Sequence, residues 1–265
     1  MLCFGMAART ASFIDPLWKP FEGFFTFVGE SSLILLDAIR RLLRRPFEWA
    51  ETFNQMAFIG VASVPIVMLT GFFSGAVMAL YLTNFLSKYG ATQFVGATVA
   101  LTLTREIGPV LAGIMVSARC GSAMAAQIAT MQVTEQIDAL KMLSVNPTNY
   151  LVIPRLVAGI FMLPILALVC MYSGIVGGEL VAMSGGVPYG TFVDSIRSFV
   201  VPWDFVGGLI KTPVFGIIVA IVACQQGLRT KNGAVGVGRA TTNTVVISMV
   251  LVYVANFLLA SVLYR

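Results

Sequence analysis

Two adjacent charged residues, Arg105 and Glu106, stand inside a long apolar stretch that runs from residue 93 to residue 119. The sequence on both sides of them is apolar enough to cross a bilayer. A charged side chain at the centre of a membrane helix costs about 2.5–3.5 kcal/mol on insertion scales. We therefore expect this pair to be neutralised by partners, to lie beside water, or to act on a substrate.

The orientation of the pair leaves two interpretations open. Neighbouring residues on a helix point about 100° apart, so Arg105 and Glu106 are not expected to face one partner together. In the first interpretation, Arg105 pairs with an acid on a neighbouring span or subunit and fixes the packing. In the second, one or both residues line a cavity, where the guanidinium of Arg105 holds a phosphate through charge-assisted hydrogen bonds.

The composition is that of a membrane protein with several spans. Of the 265 residues, 58% are hydrophobic and 11% are charged, whereas a soluble domain usually has about 25% charged residues. The apolar runs use most of the chain and leave no room for a soluble catalytic domain. The net charge of +5 is more typical of membrane topology and anionic headgroups than of nucleic-acid binding, so no nucleic-acid partner is expected.

Several kinds of chemistry lack the residues they need. The chain has no histidine, its four cysteines are scattered, and it contains no GxxxxGK[ST] loop. Catalytic triads, most zinc and haem sites and ATP hydrolysis by this chain are therefore not expected. Glu106 and Glu179 have no obvious partner acid for general acid–base work. We predict a non-catalytic chain without a metal or cofactor of its own.

The N-terminal region divides into a tail and an amphipathic helix. Residues 1–20 do not form a good signal peptide and are predicted to be a partly disordered tail. Residues 21–47 are predicted to be a helix that lies in the membrane interface, because apolar residues recur at helical spacing opposite arginines. A soluble amphipathic helix that binds a partner is the alternative. Residues 21–265 would form a single domain.

Five apolar runs predict an all-α integral membrane protein. The predicted spans are residues 56–82, 93–117, 156–183, 206–226 and 243–264. Residues 118–155 are too polar to span and are predicted to form short surface helices. A short helix is predicted at 189–200, and the Gly-rich basic residues 227–239 are predicted to be a turn.

The first span has two features at helical spacing. Gly71, Gly75 and Ala79 lie four residues apart, which gives one face of small residues suited to close helix contact. Large side chains recur toward the end of the span and beyond it: Met78, Leu82, Phe85 and Tyr89. That stripe is interpreted either as ordinary packing or lipid contact, or as the wall of a lipid cavity.

The distribution of basic residues predicts the topology. Most of them fall in segments that share one side with the N-terminus, namely 40–45, 119, 141, 155, 229, 231 and 239. The other side has Lys88, Arg197, Arg265 and, less clearly, Lys211. By the positive-inside rule, the N-terminus is predicted to be cytoplasmic and the C-terminus periplasmic.

Six short motifs together resemble the MlaE/YrbE permease family, the membrane subunits of ABC transporters that act on lipids with MCE-domain proteins. They are TREIGPV at 104–110, ARCGSAMAAQI at 118–128, TEQIDAL at 134–140, NP at 146–147, VIPR at 152–155 and GVGRATT at 236–242. They occur in the family's order and at its spacing. The resemblance covers residues 30–265.

The resemblance implies an architecture and a set of partners. It implies an interfacial elbow helix, five spans, and a homodimer that encloses a lipid cavity, with two ATPase subunits below and an MCE ring on the outer side. ATP and Mg²⁺ would be bound by the ATPase. A coupling helix would lie within 125–145, between the second and third spans, and its contacts would come from Glu135, Gln136, Ile137, Asp138 and Leu140. The alternative is a connecting helix without a partner.

Taken together, the sequence predicts the permease subunit of an ABC transporter that moves phospholipid or a related lipid between membranes. A bacterial inner membrane is the expected location, and a plastid envelope is the alternative. A secondary transporter or channel is a rival function, although no inverted repeat is visible. A membrane scaffold without transport is the second rival, and an intramembrane enzyme is the least favoured.

Overall fold

The computed structural model describes residues 15–42 and 48–264, and it describes the side chains of residues 25–41 and 48–264. All regular secondary structure in these residues is helical. The predicted tail at residues 1–14, the segment 43–47 and Arg265 lie outside the described residues. Residues 15–20, which were predicted to belong to the tail, form the first turns of a helix.

Eleven α-helices follow one another in the described part of the chain. They are α1 (Asp15–Leu42), α2 (Trp49–Ile59), α3 (Val64–Ser87), α4 (Val95–Thr102), α5 (Gly108–Val116), α6 (Ser122–Val133), α7 (Gln136–Met142), α8 (Ile153–Ser184), α9 (Tyr189–Phe199), α10 (Pro202–Leu228) and α11 (Gly233–Leu263). A 3₁₀ turn precedes α4 at Thr92–Phe94. Wider π-helical turns occupy Leu103–Ile107, Ser117–Gly121 and Thr148–Val152.

These helices combine into five stretches that are long and apolar enough to cross a membrane. The first span is Trp49–Ser87, the second Thr92–Val133, the third Thr148–Ser184, the fourth Pro202–Leu228 and the fifth Gly233–Leu263. The prediction of an all-α membrane protein with five spans is therefore confirmed. The end of the bundle that has α1, α7 and the 229–232 turn is called the α7 side, and the opposite end, which has α9, is called the α9 side.

The second span is longer than predicted. The prediction that its helix ends at residue 117 is wrong, because the helix continues through the π-helical turn at Ser117–Gly121 and α6 to Val133. Small residues such as Gly121, Ala125 and Ala129 are buried there, so the helix can pack closely against α10 and α11. Ala125 and Ile128, which were assigned to a surface helix, are fully buried in that contact.

The fifth span begins ten residues before its predicted start. The predicted turn at 227–239 shrinks to residues 229–232, and α11 starts at Gly233. Asn232 and Gly233 have φ angles of 69° and 60°. The left-handed conformation that asparagine and glycine tolerate well reverses the chain direction within this short connection.

Close backbone contact joins the first and third spans. Gly71, Gly75 and Ala79 are buried on one face of α3, and a Cβ atom on Gly75 would collide with the backbone carbonyl of Gly174 in α8. The face of small residues predicted from the sequence therefore forms a helix interface. Because dispersion contacts replace the hydrophobic effect between helices in lipid, this approach is a main source of attraction there.

The spans are buried to different degrees. In an 18-residue apolar stretch of each span, 56% of the residues are buried in the second, third and fourth spans, compared with 28% in the first and 11% in the fifth. The third span lies along both the first and the fourth, and the fifth lies against α6 and α10. The outer faces of the first and fifth spans are therefore apolar surfaces that none of the described residues covers.

Helix α1 lies against the α7 side of the bundle. Ala38 is buried among residues of α6, α7, α8 and α10. The side chains of Leu33, Leu36 and Ile39 are at least 48% exposed. One face of the helix thus contacts protein, and another presents apolar residues outward.

Candidate functional site: an ionic cluster inside the spans

Four ionisable residues meet between the second and fourth spans. Arg105 and Glu106 lie in the π-helical turn Leu103–Ile107, and Asp204 and Lys211 lie on α10. A separation of seven residues is about two helical turns, so Asp204 and Lys211 share one face of α10. That face meets the turn that contains Arg105 and Glu106, and two ion pairs form.

The first ion pair joins Arg105 to Asp204. The Nη2 atom of Arg105 lies 2.6 Å from Asp204 Oδ1, and its Nε–H donates to the same oxygen at 2.7 Å. The other carboxylate oxygen of Asp204 accepts the backbone N–H of Val201 at 2.9 Å. Asp204 therefore neutralises Arg105 and also caps the start of the fourth span, where an acidic side chain is favoured.

The second ion pair joins Lys211 to Glu106. Lys211 is fully buried, and its ammonium donates to Glu106 Oε1 at 2.8 Å, to the backbone carbonyl of Arg105 at 2.9 Å and to Asn256 Oδ1 at 3.3 Å. The amide of Asn256 donates to the second oxygen of Glu106 at 2.6 Å. All three donors of the ammonium are therefore used, as burial of a charge requires.

Pro109 explains why a backbone carbonyl is available to Lys211. In a regular α-helix the carbonyl of Arg105 would accept the N–H of residue 109. Proline has no N–H group, and the wide turn at Leu103–Ile107 already departs from the α-helical pattern. The carbonyl needs another donor inside the bundle, and the ammonium of Lys211 supplies it.

The end of the fifth span closes the cluster. The ring centroid of Tyr264 lies 4.9 Å from the guanidinium carbon of Arg105 and 4.9 Å from the ammonium nitrogen of Lys211. Both cations are thus within cation–π distance of one ring. Gly207 makes room for this ring, because a Cβ atom there would lie 2.7 Å from the Tyr264 hydroxyl oxygen.

The cluster is balanced in charge but unequally exposed. The side chains of Lys211 and Asp204 are 0% and 4% exposed, whereas those of Arg105 and Glu106 are 40% and 37% exposed. The buried half can only hold the helices together. The open half presents a guanidinium and a carboxylate at the surface of the chain, where they can contact a charged headgroup or a second subunit. Among the described residues, no group of three His, Cys, Asp or Glu side chains could hold a metal ion.

The structure brings the predicted pair together with partners that sequence reasoning missed. The pairing of Arg105 with an acid on a neighbouring span, one of the two interpretations, is present. Asp204 and Asn256 were not identified, and Lys211 was treated only as a charge near the outer side. Lys211 could have been identified from the sequence, because a lysine within an apolar span needs a counter-ion. A cavity-lining role for Arg105 and Glu106 stays a prediction.

The predicted stripe on the first span lies apart from this cluster. Met78 and Leu82 are half-buried, and Leu82 packs beside Val99 and Leu103. Phe85 and Tyr89 are 58% and 72% exposed, with ring centroids 5.2 Å apart. The half of the stripe nearer the α9 side is therefore free to contact lipid or another chain, and its role as a cavity wall stays a prediction.

The predicted coupling segment forms α7, and one of its predicted contact residues, Ile137, points into the bundle. Glu135 precedes the helix with a φ of 59°, and Gln136 and Asp138 are exposed. Asp138 pairs with Lys141 at 2.7 Å. Ile137 is 1% exposed, so it belongs to this chain's own core and the prediction that it contacts a partner is wrong. Leu140 is half-buried.

Two apolar residues at the end of α7 were not predicted. Met142 is 88% exposed and Leu143 is 74% exposed. They belong to the polar segment 118–155, and their outward orientation depends on how Ile137 fixes the helix. Large apolar side chains that project from a polar surface are typical of a contact site.

Comparisons with known proteins agree on one family. The family model described as "Permease MlaE" matches residues 52–262. A probable ABC transporter permease protein of Rickettsia felis is 42% identical over 239 residues, which cover 90% of this chain and 92% of that protein. The chloroplast protein TRIGALACTOSYLDIACYLGLYCEROL 1 of Arabidopsis thaliana is 35% identical over 250 residues, 94% of this chain and 71% of that protein.

A third relative is named for a phospholipid system. The intermembrane phospholipid transport system permease protein MlaE of Haemophilus influenzae is 33% identical over 258 residues, which cover 96% of this chain and 98% of that protein. The region matched by the family model contains nearly all of the five spans and the whole ionic cluster apart from Tyr264. With five spans, an all-helical fold and this match, the chain belongs to the MlaE permease family.

Proposed function

We propose that this protein is the membrane-spanning subunit of an ABC transporter that moves phospholipid or a similar lipid between the inner and outer membranes. The observation that carries the proposal is the similarity, along nearly its full length, to a relative named as an intermembrane phospholipid permease. The five apolar spans, which leave no separate soluble domain between residues 48 and 264, support the same role. The chain itself is not an enzyme in this proposal.

A partner ATPase would bind ATP and Mg²⁺ and would dock on the α7 side. The support is the exposed surface formed by Gln136, Asp138, Met142 and Leu143. A short helix between two long spans can pass the closure of an ATPase into those spans. Ile137 contributes by anchoring α7 to the bundle, so that α7 moves with the spans.

Helix α1 would serve as the elbow helix in the membrane interface. Its Leu33, Leu36 and Ile39 side chains project away from the bundle, and Arg40 and Arg41 follow at its end. Apolar residues that enter the acyl region beside cations at the headgroups are typical of an interfacial helix. The basic residues of the α7 side favour a cytoplasmic N-terminus, with α9 and the C-terminus in the periplasm.

Two copies would enclose the lipid route, and an MCE-domain protein would receive or deliver lipid at the α9 side. The support is the large uncovered apolar face of the first and fifth spans, which includes Phe85, Tyr253 and Phe257. The open guanidinium of Arg105 lies near the α9 side. Its neighbours Asp204 and Lys211 are about 3 Å and 14 Å along α10 from the start of that helix. There Arg105 would hold the phosphate of a passing lipid.

A comparison of transport with assembly tests the role of Arg105. We expect Arg105→Ala to reduce lipid transfer from the reconstituted complex by about tenfold or more, because one charge-assisted contact is lost. The partner ATPase should still co-purify and hydrolyse ATP. Loss of the ATPase together with transport would mean that Arg105 only holds the spans together.

A double substitution tests the docking surface of α7. Met142→Glu with Leu143→Glu should abolish co-purification of the ATPase and the lipid stimulation of ATP hydrolysis. The matched control is Met142→Leu with Leu143→Met, which keeps both positions apolar and should retain binding. A complex that tolerates both acidic residues would place the ATPase elsewhere, and a chain that never co-purifies with any ATPase would contradict the proposed function.

A further inference from the structure

A large cavity lies on the α7 side, away from the ionic cluster. It occupies about 770 Å³ between α1 and the connection from the fourth to the fifth span. Polar residues at its mouth are Gln226, Arg229, Thr230, Lys231, Asn232, Arg239 and Asn243. Its remaining lining is largely apolar. We call it the junction cavity.

The described side chains at the mouth of the junction cavity carry more positive than negative charge. Arg229 Nε lies 3.4 Å from Glu30 Oε2, an oxygen that also accepts a hydrogen bond from Gln225 at 2.9 Å. Lys231 and Arg239 are exposed and form no hydrogen bond or ion pair with any described residue. Among the described side chains there, one carboxylate thus faces three cations.

The interior of the junction cavity is apolar and continues along the spans. Val246, Val250 and Leu251 of α11 and Phe27 of α1 line it. A narrower groove of about 170 Å³ shares Phe27 and Leu251 and continues along α10 at Ile217, Ile218, Ile221 and Val222. Val250 is 17 residues from Gly233, the first residue of α11, which corresponds to about 25 Å along the helix. A cationic mouth therefore leads into an apolar groove, and mouth and groove together extend about 25 Å along α11.

A glycine maintains the shape of the mouth. A Cβ atom on Gly236 would collide with the backbone carbonyl of Lys231. The chain can therefore fold back tightly at the start of α11, which keeps Lys231 and Arg239 on the same rim. Because backbone atoms approach so closely here, the first position of the GVGR sequence at 236–239 requires a glycine.

We propose that the junction cavity binds an anionic phospholipid, with its phosphate between Lys231 and Arg239 and an acyl chain along α11 and α10. Basic pockets between spans at the cytoplasmic side attract anionic headgroups, and lysine and arginine bind phosphate as a charge and as a planar donor, respectively. The phosphate site would lie on the α7 side, at the opposite end of the spans from Arg105. It does not depend on the transport function proposed above.

The first test measures lipid selectivity. The purified full-length protein in detergent is titrated with palmitoyl-oleoyl phosphatidylglycerol or phosphatidylcholine, and bound lipid is counted by native mass spectrometry. Phosphatidylglycerol should bind more tightly. The double variant Lys231→Gln and Arg239→Gln should weaken its binding by about tenfold or more, since each surface cation contributes to attraction. Equal binding of both lipids to both proteins would overturn the proposal.

A matched control removes two cations from the other side. Lys88 and Arg197 are exposed on the α9 side and do not line the junction cavity, so Lys88→Gln with Arg197→Gln should leave phosphatidylglycerol binding unchanged. An equal loss in both double variants would mean that net charge alone attracts the lipid, which would overturn the site. The melting temperature without added lipid verifies that each variant is folded.

The second test separates a lipid from free phosphate and from another copy of the chain. Ile247→Trp should fill the apolar part of the cavity and weaken phosphatidylglycerol binding, and millimolar inorganic phosphate should not displace the lipid. Displacement by phosphate would reduce the site to an anion site and overturn the acyl-chain assignment. Oxidative cross-linking between copies through Val246→Cys, unaffected by lipid, would assign the cavity to a second copy and overturn the proposal.

Discussion

The ionic cluster and the junction cavity differ in whether their cations are paired with carboxylates. In the ionic cluster, Arg105 and Lys211 each meet a carboxylate within 2.8 Å, and the buried lysine uses all its donors on protein atoms. At the junction cavity, Lys231 and Arg239 meet no carboxylate of the part of the chain whose side chains are described. A charge buried inside a bundle needs a counter-charge from the same protein. A charge in the headgroup region is hydrated and stays available to bind a ligand.

The contrast separates charges that build the fold from charges that can serve binding. Removal of a partner inside the spans leaves a buried charge uncompensated, which costs several kcal/mol. Removal of an exposed charge at the mouth of the junction cavity costs the fold little, because water replaces it. Four substitutions or conditions, from the largest expected effect to the smallest, test this division.

Lys211→Met should have the largest effect. The change leaves Glu106, the Arg105 carbonyl and the Asn256 oxygen without their common donor, and loss of one member of a buried pair costs about 3–5 kcal/mol. We expect a large fall in the yield of folded protein and in its melting temperature in detergent.

The double variant Lys211→Met with Glu106→Gln provides the control for that result. The second change removes the orphaned carboxylate, and the amide can still interact with Asn256, so part of the lost stability should return. A Lys211→Met protein as stable as the native chain would contradict the view that this charge is needed by the fold.

Asp204→Asn should have an intermediate effect. It removes the counter-ion of Arg105 and weakens the acceptor for the Val201 N–H, and hydrogen bonds to charged groups are worth about 1.5–3 kcal/mol. Because 40% of the Arg105 side chain is exposed, water offsets part of the loss. Thermal unfolding should show a smaller decrease than for Lys211→Met, and an equal or larger decrease would contradict the ranking by burial.

Acid should weaken the attachment of α1 only slightly. Burial alone would raise the pKa of Asp37, but hydrogen bonds from Arg41 and Thr148 and the charges of Arg41 and Arg40 outweigh it, so that the pKa lies below its ordinary value of 3.8. A lowered pKa contributes stability above the ordinary value, and this contribution is lost as the pH falls through the pKa of the folded state.

The pH dependence of Asp37→Asn measures this contribution. Because the Asp37 side chain is 39% exposed, the difference in stability between the native chain and Asp37→Asn should be below about 1 kcal/mol. It should be constant near neutral pH and vanish in acid. A difference that grows as the pH falls would contradict the assigned direction of the pKa shift.

Asp138→Asn should have the smallest effect. Asp138 and Lys141 are more than half exposed on α7, and exposed pairs three or four residues apart contribute about 0.3–0.5 kcal/mol. The melting temperature should stay within error of the native value, and high salt should remove any difference. A large decrease would mean that the α7 surface is more strongly coupled to the fold than its exposure indicates.

Local features of the sequence were sufficient for much of this architecture. Five apolar runs determine five spans because their length and hydrophobicity act residue by residue. Gly71, Gly75 and Ala79 indicated a close helix contact because they share a face at helical spacing. The cost of a charge in the bilayer required Arg105 and Glu106 to have partners, and the six motifs indicated the family.

The tertiary structure decided which residues those partners are. Arg105 and Asp204 are 99 residues apart in the sequence, and Glu106 and Asn256 are 150 apart, so no local pattern links them. The same holds for the extension of the second span to Val133, where residues such as Ala125 and Ala129 are buried because α10 and α11 cover them. The inward orientation of Ile137 and the cationic junction cavity likewise arise from how whole helices pack, since burial is a property of the assembled bundle.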